Sequence, residues 1–346
     1  MIRSLLLSLL CLFFSGFKKA EPPCAPVKLH QLASFAVGTA LNTEKLKYEE
    51  RYWTTALEHF NSFTPEKVLK AVYVQPREGQ FYFTELDHLM AFCKKREIRL
   101  HGHTLVWHKS LPLWMERFRG DSAAWDRLLK VHIQTVVNHC KNYVKSWDVV
   151  NEAFNDDGSM RETIWLKNIG PTYIEKAFLY AAEADPDAVL FYNDYSLEHY
   201  SGKLTAVLSF LGELRKKNIP VHGIGMQMHV SLDSPLIENI NRSAAAIEKE
   251  GLLVHYSELD VNLGDQPFFV SRKKLQRRQQ QRIKEIVEGY LQLKPATRFG
   301  ITLWGVSDND SWLSDDRIRS RPLLFDNRYR PKPAFCGFVE GLNKKY

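Results

Sequence analysis

The sequence predicts an α/β chain folded as a single closed (β/α)8 barrel, a TIM barrel. Three observations point there. Short apolar, β-rich runs alternate with amphipathic helical patterns eight times, which implies a parallel sheet with right-handed crossovers. The eight units occupy about 310 residues, the size of such a barrel with some long loops. No Gly-rich phosphate loop follows an early run, as a doubly wound open sheet would usually need.

At the N-terminus, Arg3 precedes the apolar run Leu5–Phe14, and Lys18 and Lys19 follow it. The run is too short to span a bilayer and fits a secretory signal peptide over residues 1–20. The expectation is export, to the medium, the periplasm or the cell surface. Cys11 sits too early, after Leu9 and Leu10, to argue for a lipid anchor. The barrel is expected to span residues 27–346. Its strand candidates are Phe35–Thr39, Ser62–Thr64, Arg99–Thr104, Ser146–Val150, Val189–Tyr192, Gly223–Gln227, Leu253–Ser257 and Ile301–Trp304. Between them, Thr84-Glu85-Leu86-Asp87 reads as a helix N-cap ahead of Leu86, Leu89, Met90 and Cys93 at helical spacing. Trp125–Cys140 carries Leu128, Leu129, Val131, Ile133, Val136 and Val137 in the same way. Leu204–Leu214, Ile237–Ile247 and Ile283–Leu293 are similar.

In such barrels the C-terminal ends of the strands build the active site. Here they supply Asn42, Glu66 and Lys70, then His103, Trp107 and His108. Asn151, Glu152, Asn193, Asp194, Gln227 and His229 follow, and Glu258, Asp260, Trp304 and Trp312 close the set. Glu152 ends the apolar run Trp147, Val149, Val150, and Glu258 ends Leu253–Ser257. A carboxylate at the end of a buried strand is costly to desolvate unless something uses it. Two of them suggest a pair facing across a cleft, as acid-catalysed cleavage of a sugar–sugar bond requires. Each glutamate alone could equally be a salt-bridged strand end.

Other chemistries lack their residues. His103 and His108 are poorly spaced for zinc, so no metal is expected. With neither a P-loop nor a serine elbow, no cofactor is expected either. The net charge is +7, and the one dense basic run, Ser271 to Arg282, reads as a solvated helix face. No nucleic-acid motif accompanies it, so no nucleic-acid partner is expected. Five cysteines stand at 11, 24, 93, 140 and 336 without metal-ligand spacing. Cys93 and Cys140 fall at apolar helix positions as core thiols, and no required disulfide is expected.

Six stretches then resemble one family in its own order. They are Gly102-His103-Thr104-Leu105-Val106-Trp107-His108, Trp147-Asp148-Val149-Val150-Asn151-Glu152-Ala153 and Tyr192-Asn193-Asp194-Tyr195. Gly223-Ile224-Gly225-Met226-Gln227-Met228-His229, Glu258-Leu259-Asp260-Val261 and Thr302-Leu303-Trp304-Gly305-Val306-Ser307-Asp308, with Ser311-Trp312, complete the set. The family is glycoside hydrolase family 10, the retaining endo-β-1,4-xylanases, and the resemblance covers about residues 36 to 340. It implies a xylan or xylo-oligosaccharide substrate, with Glu152 as general acid/base and Glu258 as nucleophile. It also implies that Asn151 bonds the 2-hydroxyl of the sugar at the cleavage point. His229 would bond Glu258 and be oriented by Asp260. His103, Gln227 and Trp107 would wall that subsite, with Trp304 beneath the sugar and Trp312 as a lid. Lys70 would serve the next subsite, with Glu66 and Lys67 beside it. No attached carbohydrate-binding module is expected, and the chain is expected to be a monomer. A retaining acid/base must begin protonated, so the Glu152 pKa is expected to be raised in the free enzyme and to fall once Glu258 is esterified and its charge lost.

The departures lie outside the glutamates. The resemblance implies Pro-Glu-Asn-x-Met-Lys-Trp after the second strand, but the chain has Pro65-Glu66-Lys67-Val68-Leu69-Lys70-Ala71. Where the family has His-Ser-Gln-Leu-Pro, the chain has His108-Lys109-Ser110-Leu111-Pro112. These put substrate length and decoration in doubt. Lys67 beside Lys70 could meet an acidic branch on xylan or could simply face solvent. A retaining β-glycosidase acting on short xylosides or β-glucan is the alternative activity. A non-catalytic xylan-binding protein would lack one of the glutamates.

Overall fold

A computed structural model describes residue 24 and residues 27–263, 270–313 and 320–344. The expected leader, residues 1–20, lies outside the described residues. Nine strands are described: β1 Ala36–Leu41, β2 Ser62–Pro65, β3 Arg99–Val106, β4 Val144–Asn151, β5 Val189–Asp194, β6 Gly223–Met226, β7 His229–Ser231, β8 Leu253–Asn262 and β9 Arg298–Leu303. Each pairs in parallel with its neighbours, β1 with β9 and β6 with β8, so eight strands close into a barrel. The short β7 adds to the far end of β8. The architecture is the (β/α)8 barrel that alternation predicts.

The helices lie outside with their apolar faces inward. In Ser122–Cys140, Trp125, Leu129, Ile133, Val136 and Val137 are buried while Val131 is exposed. This helix starts three residues before the expected Trp125, because the Asp121 side chain accepts from the backbone N–H of Ala124 and caps it. The expected cap at Thr84 is not formed: Thr84 is already helical, and Phe83 precedes it without a side-chain bond. The basic run lies on the helix Arg272–Tyr290. Arg272, Lys273, Lys274 and Arg277 are exposed as expected, but Arg282 is buried and its guanidinium bonds the Pro235 carbonyl.

The barrel interior is filled by rings and buried polar pairs. Phe191 and Phe299 meet at 4.5 Å between ring centroids, with His101 and His255 edge-on to each other at 4.9 Å. Above them Asp148 lies 3.0 Å from His101 Nε2 and 2.9 Å from His103 Nδ1. Full burial would push that carboxyl up, but the two imidazoles hold it well below the usual carboxylate range. Gly102 is required here, because a Cβ would stand 2.1 Å from the Trp147 ring.

The cysteine expectation is corrected. Cys24 and Cys336 form a disulfide that joins the segment ahead of the first strand to the helix Pro333–Leu342. Sequence spacing could not show it, because 312 positions separate the pair. Cys93 and Cys140 are free and buried, as expected of core thiols.

Candidate active site

Both glutamates reach the C-terminal rim by local irregularities in the sheet. Glu152 follows β4 in the left-handed region, at φ +57°. A non-glycine residue pays for that conformation, so the surroundings must hold it. Its N–H donates to the Asn193 carbonyl at 2.9 Å, and its own carbonyl accepts from Arg161 Nε at 2.9 Å. The next N–H, of Ala153, donates to the Tyr192 hydroxyl. Tyr192 in turn donates to Asp194, whose other oxygen pairs with the buried Lys203 at 2.9 Å. Asp194, raised to about 6 by burial against the pull of Lys203 and Tyr192, thus anchors the backbone beneath Glu152.

Glu258 corrects a sequence expectation. It does not stand past the end of its strand, because β8 continues to Asn262. Pairing of β7 with Asp260–Asn262 sustains the strand, and the register against β9 shifts between Tyr256 and Leu259. Glu258 sits inside that irregular stretch, which turns its side chain to the barrel mouth.

The two carboxyls, 6% and 4% exposed, are joined by a chain of amides. Gln227 Nε2 donates to Glu152 Oε1 at 3.2 Å and to Asn151 Oδ1 at 3.4 Å. Asn193 Nδ2 bridges Asn151 Oδ1 at 2.9 Å and Glu258 Oε1 at 2.8 Å. Asn193 is itself fixed by the Ser257 hydroxyl, which donates to its carbonyl at 2.6 Å. On the other side of Glu258, His229 Nε2 lies 3.3 Å from Oε2, while Nδ1 is 2.8 Å from Asp260 Oδ2. Burial lowers the His229 pKa, but Asp260 and Glu258 outweigh it and raise it to about 10, so the ring is a cation at neutral pH.

The remaining predicted residues gather around this core. The Trp304 indole lies edge-on to His103 and His229, at 5.3 and 6.4 Å. Trp312 Nε1 donates to Asp260 at 2.9 Å, yet the residue stays 59% exposed, leaving a ring face for a ligand. Lys70 Nζ lies 5.1 Å from the Trp107 ring centre; burial lowers its pKa against the opposing pull of Glu258, Glu66 and Glu152. A cleft on the same rim is lined by Asn42, Lys45, Glu66, Lys67, Trp304 and Trp312. Lys67 is exposed there and forms no ion pair among the described residues, whereas Lys45 pairs with Asp310 at 2.7 Å. Ser110 adopts φ +52°, and its carbonyl accepts from Val72. No group of metal-ligating side chains forms among the described residues.

Two participants, Arg161 and Lys109, escaped the sequence reading, and a third, Asn193, was read as a rim residue without its contact. Asn193 stood in a quoted motif, but nothing in that motif says it reaches Glu258. Arg161 lay in no motif at all. Lys109 reaches Glu152: its ammonium is 3.4 Å from Oε2. That contact overturns the expected direction of the Glu152 pKa. Burial pushes the carboxyl up, but Lys109 and hydrogen bonds from Trp107 and Gln227 bring it below its usual value.

The chain has relatives throughout its length. The Glycosyl hydrolase family 10 profile matches residues 27–341. Endo-1,4-β-xylanase B of Thermotoga neapolitana is 35% identical over 345 residues, covering 98% of this chain and 97% of that one. The endo-1,4-β-xylanase of Geobacillus stearothermophilus is 36% identical over 321 residues, 88% of this chain and 95% of that one. Among solved structures, xylanase 10B of Thermotoga petrophila RKU-1 in complex with xylobiose superposes with a TM-score of 0.86. It is 37% identical, and the match covers 92% of this chain and 98% of that one.

Proposed function

The chain belongs to glycosyl hydrolase family 10, and from that premise we propose how its site divides the work of cleaving xylan. It is an endo-1,4-β-xylanase, hydrolysing internal β-1,4-xylosidic bonds with retention through a covalent glycosyl-enzyme. The observation that carries the assignment of roles is the amide bridge between two buried carboxyls, one just after strand β4 and one on β8. Glu258, held by Asn193 on one oxygen and by His229 on the other, is the nucleophile that attacks the anomeric carbon. Glu152 gives its proton to the departing glycosidic oxygen, then takes one from the water that releases the sugar. As the ester forms, Glu258 loses its negative charge, and Glu152, holding a proton in the first step, becomes the base of the second. His229 and Asp260 keep the Glu258 carboxylate ionised and aimed. Asn151 and Gln227 bond sugar hydroxyls at the cleavage point. His103 and Trp107 wall that subsite, Trp304 lies beneath the sugar and Trp312 covers it. Glu66, Lys67 and Lys70 receive the next xylose on the non-reducing side.

Proton NMR of the first products tests the mechanism: xylo-oligosaccharide ends should appear first in the β-configuration, and α-ends at the earliest times would refute it. Glu258→Ala should lose about a thousandfold or more on every substrate. Glu152→Ala should keep far more of its first-step rate on aryl xylosides with good leaving groups, which need no proton.

Export is the proposed location. Support comes from the charged-apolar leader and from the Cys24–Cys336 disulfide, since such bonds persist in oxidising compartments. Mass spectrometry of the native protein should find an N-terminus between about residues 17 and 24, which keeps Cys24; an intact Met1 on a cytoplasmic protein would refute export.

A further inference from the structure

Lys109 occupies a singular place. It extends from the loop after β3, is 60% exposed along its side chain, and reaches the one Glu152 oxygen that no hydrogen bond satisfies. Oε1 of Glu152 is engaged by Gln227; Oε2 is buried, with the Lys109 ammonium at 3.4 Å and His108 Nε2 at 4.0 Å. The Lys109 ammonium also stands 5.5 Å from the centre of the Trp107 ring, the ring that Lys70 approaches to 5.1 Å. The face of an indole attracts a cation at such a distance, which helps to hold the Lys109 ammonium beside Glu152.

We propose that Lys109 is a positioning residue for the acid/base: its ammonium caps Glu152 Oε2, orients that carboxyl and favours its ionised form in the free enzyme. This rests on the reading of Glu152 given above. The reaction uses Glu152 twice, and the two uses want opposite forms. In the first step the proton on Glu152 passes to the glycosidic oxygen as the C–O bond breaks and the bond from Glu258 to the anomeric carbon forms. In the second, the carboxylate takes a proton from water as the water oxygen replaces Glu258. A fixed cation beside Oε2 assists the second step and narrows, from the alkaline side, the pH range of the first.

The other charges around Glu152 leave this role to Lys109. His108, on the same loop, is desolvated to about 4, so its ring is neutral where the enzyme would work. Lys70, after β2, lies over Trp107 and is drawn toward Glu66 and Glu258 as well as Glu152. Arg161, in the loop after β4, spends its donors on the carbonyls of Glu152 and Phe154 and on the Tyr195 hydroxyl. Asp194, ending β5, and Glu258, on β8, are anions that oppose ionisation of Glu152; Asp194 is neutralised by Lys203 and Glu258 faces His229. Lys109 is therefore the cation aimed at the carboxyl oxygen itself.

The test is the pH dependence of kcat/KM, which reports free-enzyme ionisations. Wild type, Lys109→Ser and Lys109→Arg are compared on xylohexaose, which needs the proton, and on an aryl xylobioside with a good leaving group, which does not. Lys109→Ser should move the alkaline limb on xylohexaose upward by about half to one pH unit. Lys109→Arg should keep the wild-type limb, and 1 M salt should shrink the difference between wild type and Lys109→Ser. On the aryl substrate neither variant should show that limb. Superimposable alkaline limbs for wild type and Lys109→Ser, or a uniform loss of rate at every pH, would overturn the role of Lys109. If wild type shows the same alkaline limb on the aryl substrate, the limb does not belong to Glu152, and the acid/base assignment falls together with the proposal.

Discussion

Glu152 and Glu258 owe their positions to neighbours that do no chemistry themselves. Asn193 links Glu258 to Asn151 and so fixes the proposed nucleophile in register with the residue proposed to bond the sugar. Asn193→Ala should lower kcat on xylan by about tenfold or more with little change in melting temperature. A hydrogen bond to a carboxylate is worth about 1.5–3 kcal/mol, and it is the nucleophile that loses it. A variant with wild-type kcat would show that Asn193 serves only the fold. His229 has a raised pKa, so its contribution to stability is complete below its unfolded value near 6.5. It is lost as pH rises through its folded value of about 10. Urea denaturation midpoints of wild type should therefore fall between pH 7 and 10, and those of His229→Asn should fall less steeply over the same window. Lys67, exposed on the rim without an ion-pair partner among the described residues, either faces solvent or meets an acidic branch of the substrate, and a substitution separates the two. If the branch is met, Lys67→Asn should lower kcat/KM on glucuronoxylan more than on arabinoxylan, and salt should shrink the difference. An equal gain on both polymers would show that Lys67 meets solvent only.

At the scale of the element, strands β5, β6 and β8 meet where the site needs close backbone approach. A Cβ on Gly225 would lie 2.1 Å from Asn193 Oδ1, the same oxygen that accepts from Ser257. The missing side chain of β6 thus makes room for the amide that holds the nucleophile on β8. Gly225→Ala should destabilise the fold by about 1–3 kcal/mol, as overpacking does. Because relief pushes Asn193 away, kcat should fall as well, even at temperatures where the variant is fully folded. Loss of stability with unchanged kcat would place the strain elsewhere. Strand β8 is also where the element departs from its sequence pattern. The apolar run stops at Ser257, yet the ladder goes on to Asn262 because β7 pairs with it.

Across the whole molecule, the Cys24–Cys336 bond ties the start of the described chain to the helix that ends the barrel. Closing a circuit of 312 residues restricts the unfolded chain. Cys336→Ser should therefore cost about 2–4 kcal/mol of stability. A lower melting temperature in reducing buffer, for wild type alone, would show the same bond at work. Its removal leaves the amide bridge between the glutamates untouched, so kcat at 25 °C should stay close to wild type. A melting temperature insensitive to both changes would mean that the bond does not restrict the unfolded chain.

The sequence by itself determined the barrel and brought most of the rim's polar and aromatic side chains into view. Alternating strand and helix periodicity records which faces are buried, and burial is decided within a few residues of each position. The rim residues could be read because parallel strands all present their C-terminal ends to one face, so that Glu152 and Glu258 share a rim wherever the loops go. Only the tertiary structure decided which groups meet there. Lys109 faces Glu152, Asn193 reaches Glu258, and Cys24 finds Cys336 through contacts between segments that no local pattern relates. The ionisation of Glu152 shows the consequence. The acid/base role beside a charged Glu258 argued for a raised pKa, and a lysine from the neighbouring strand's loop draws it down. Coulombic attraction depends on separation in space, and across a closed barrel that separation is set by the fold.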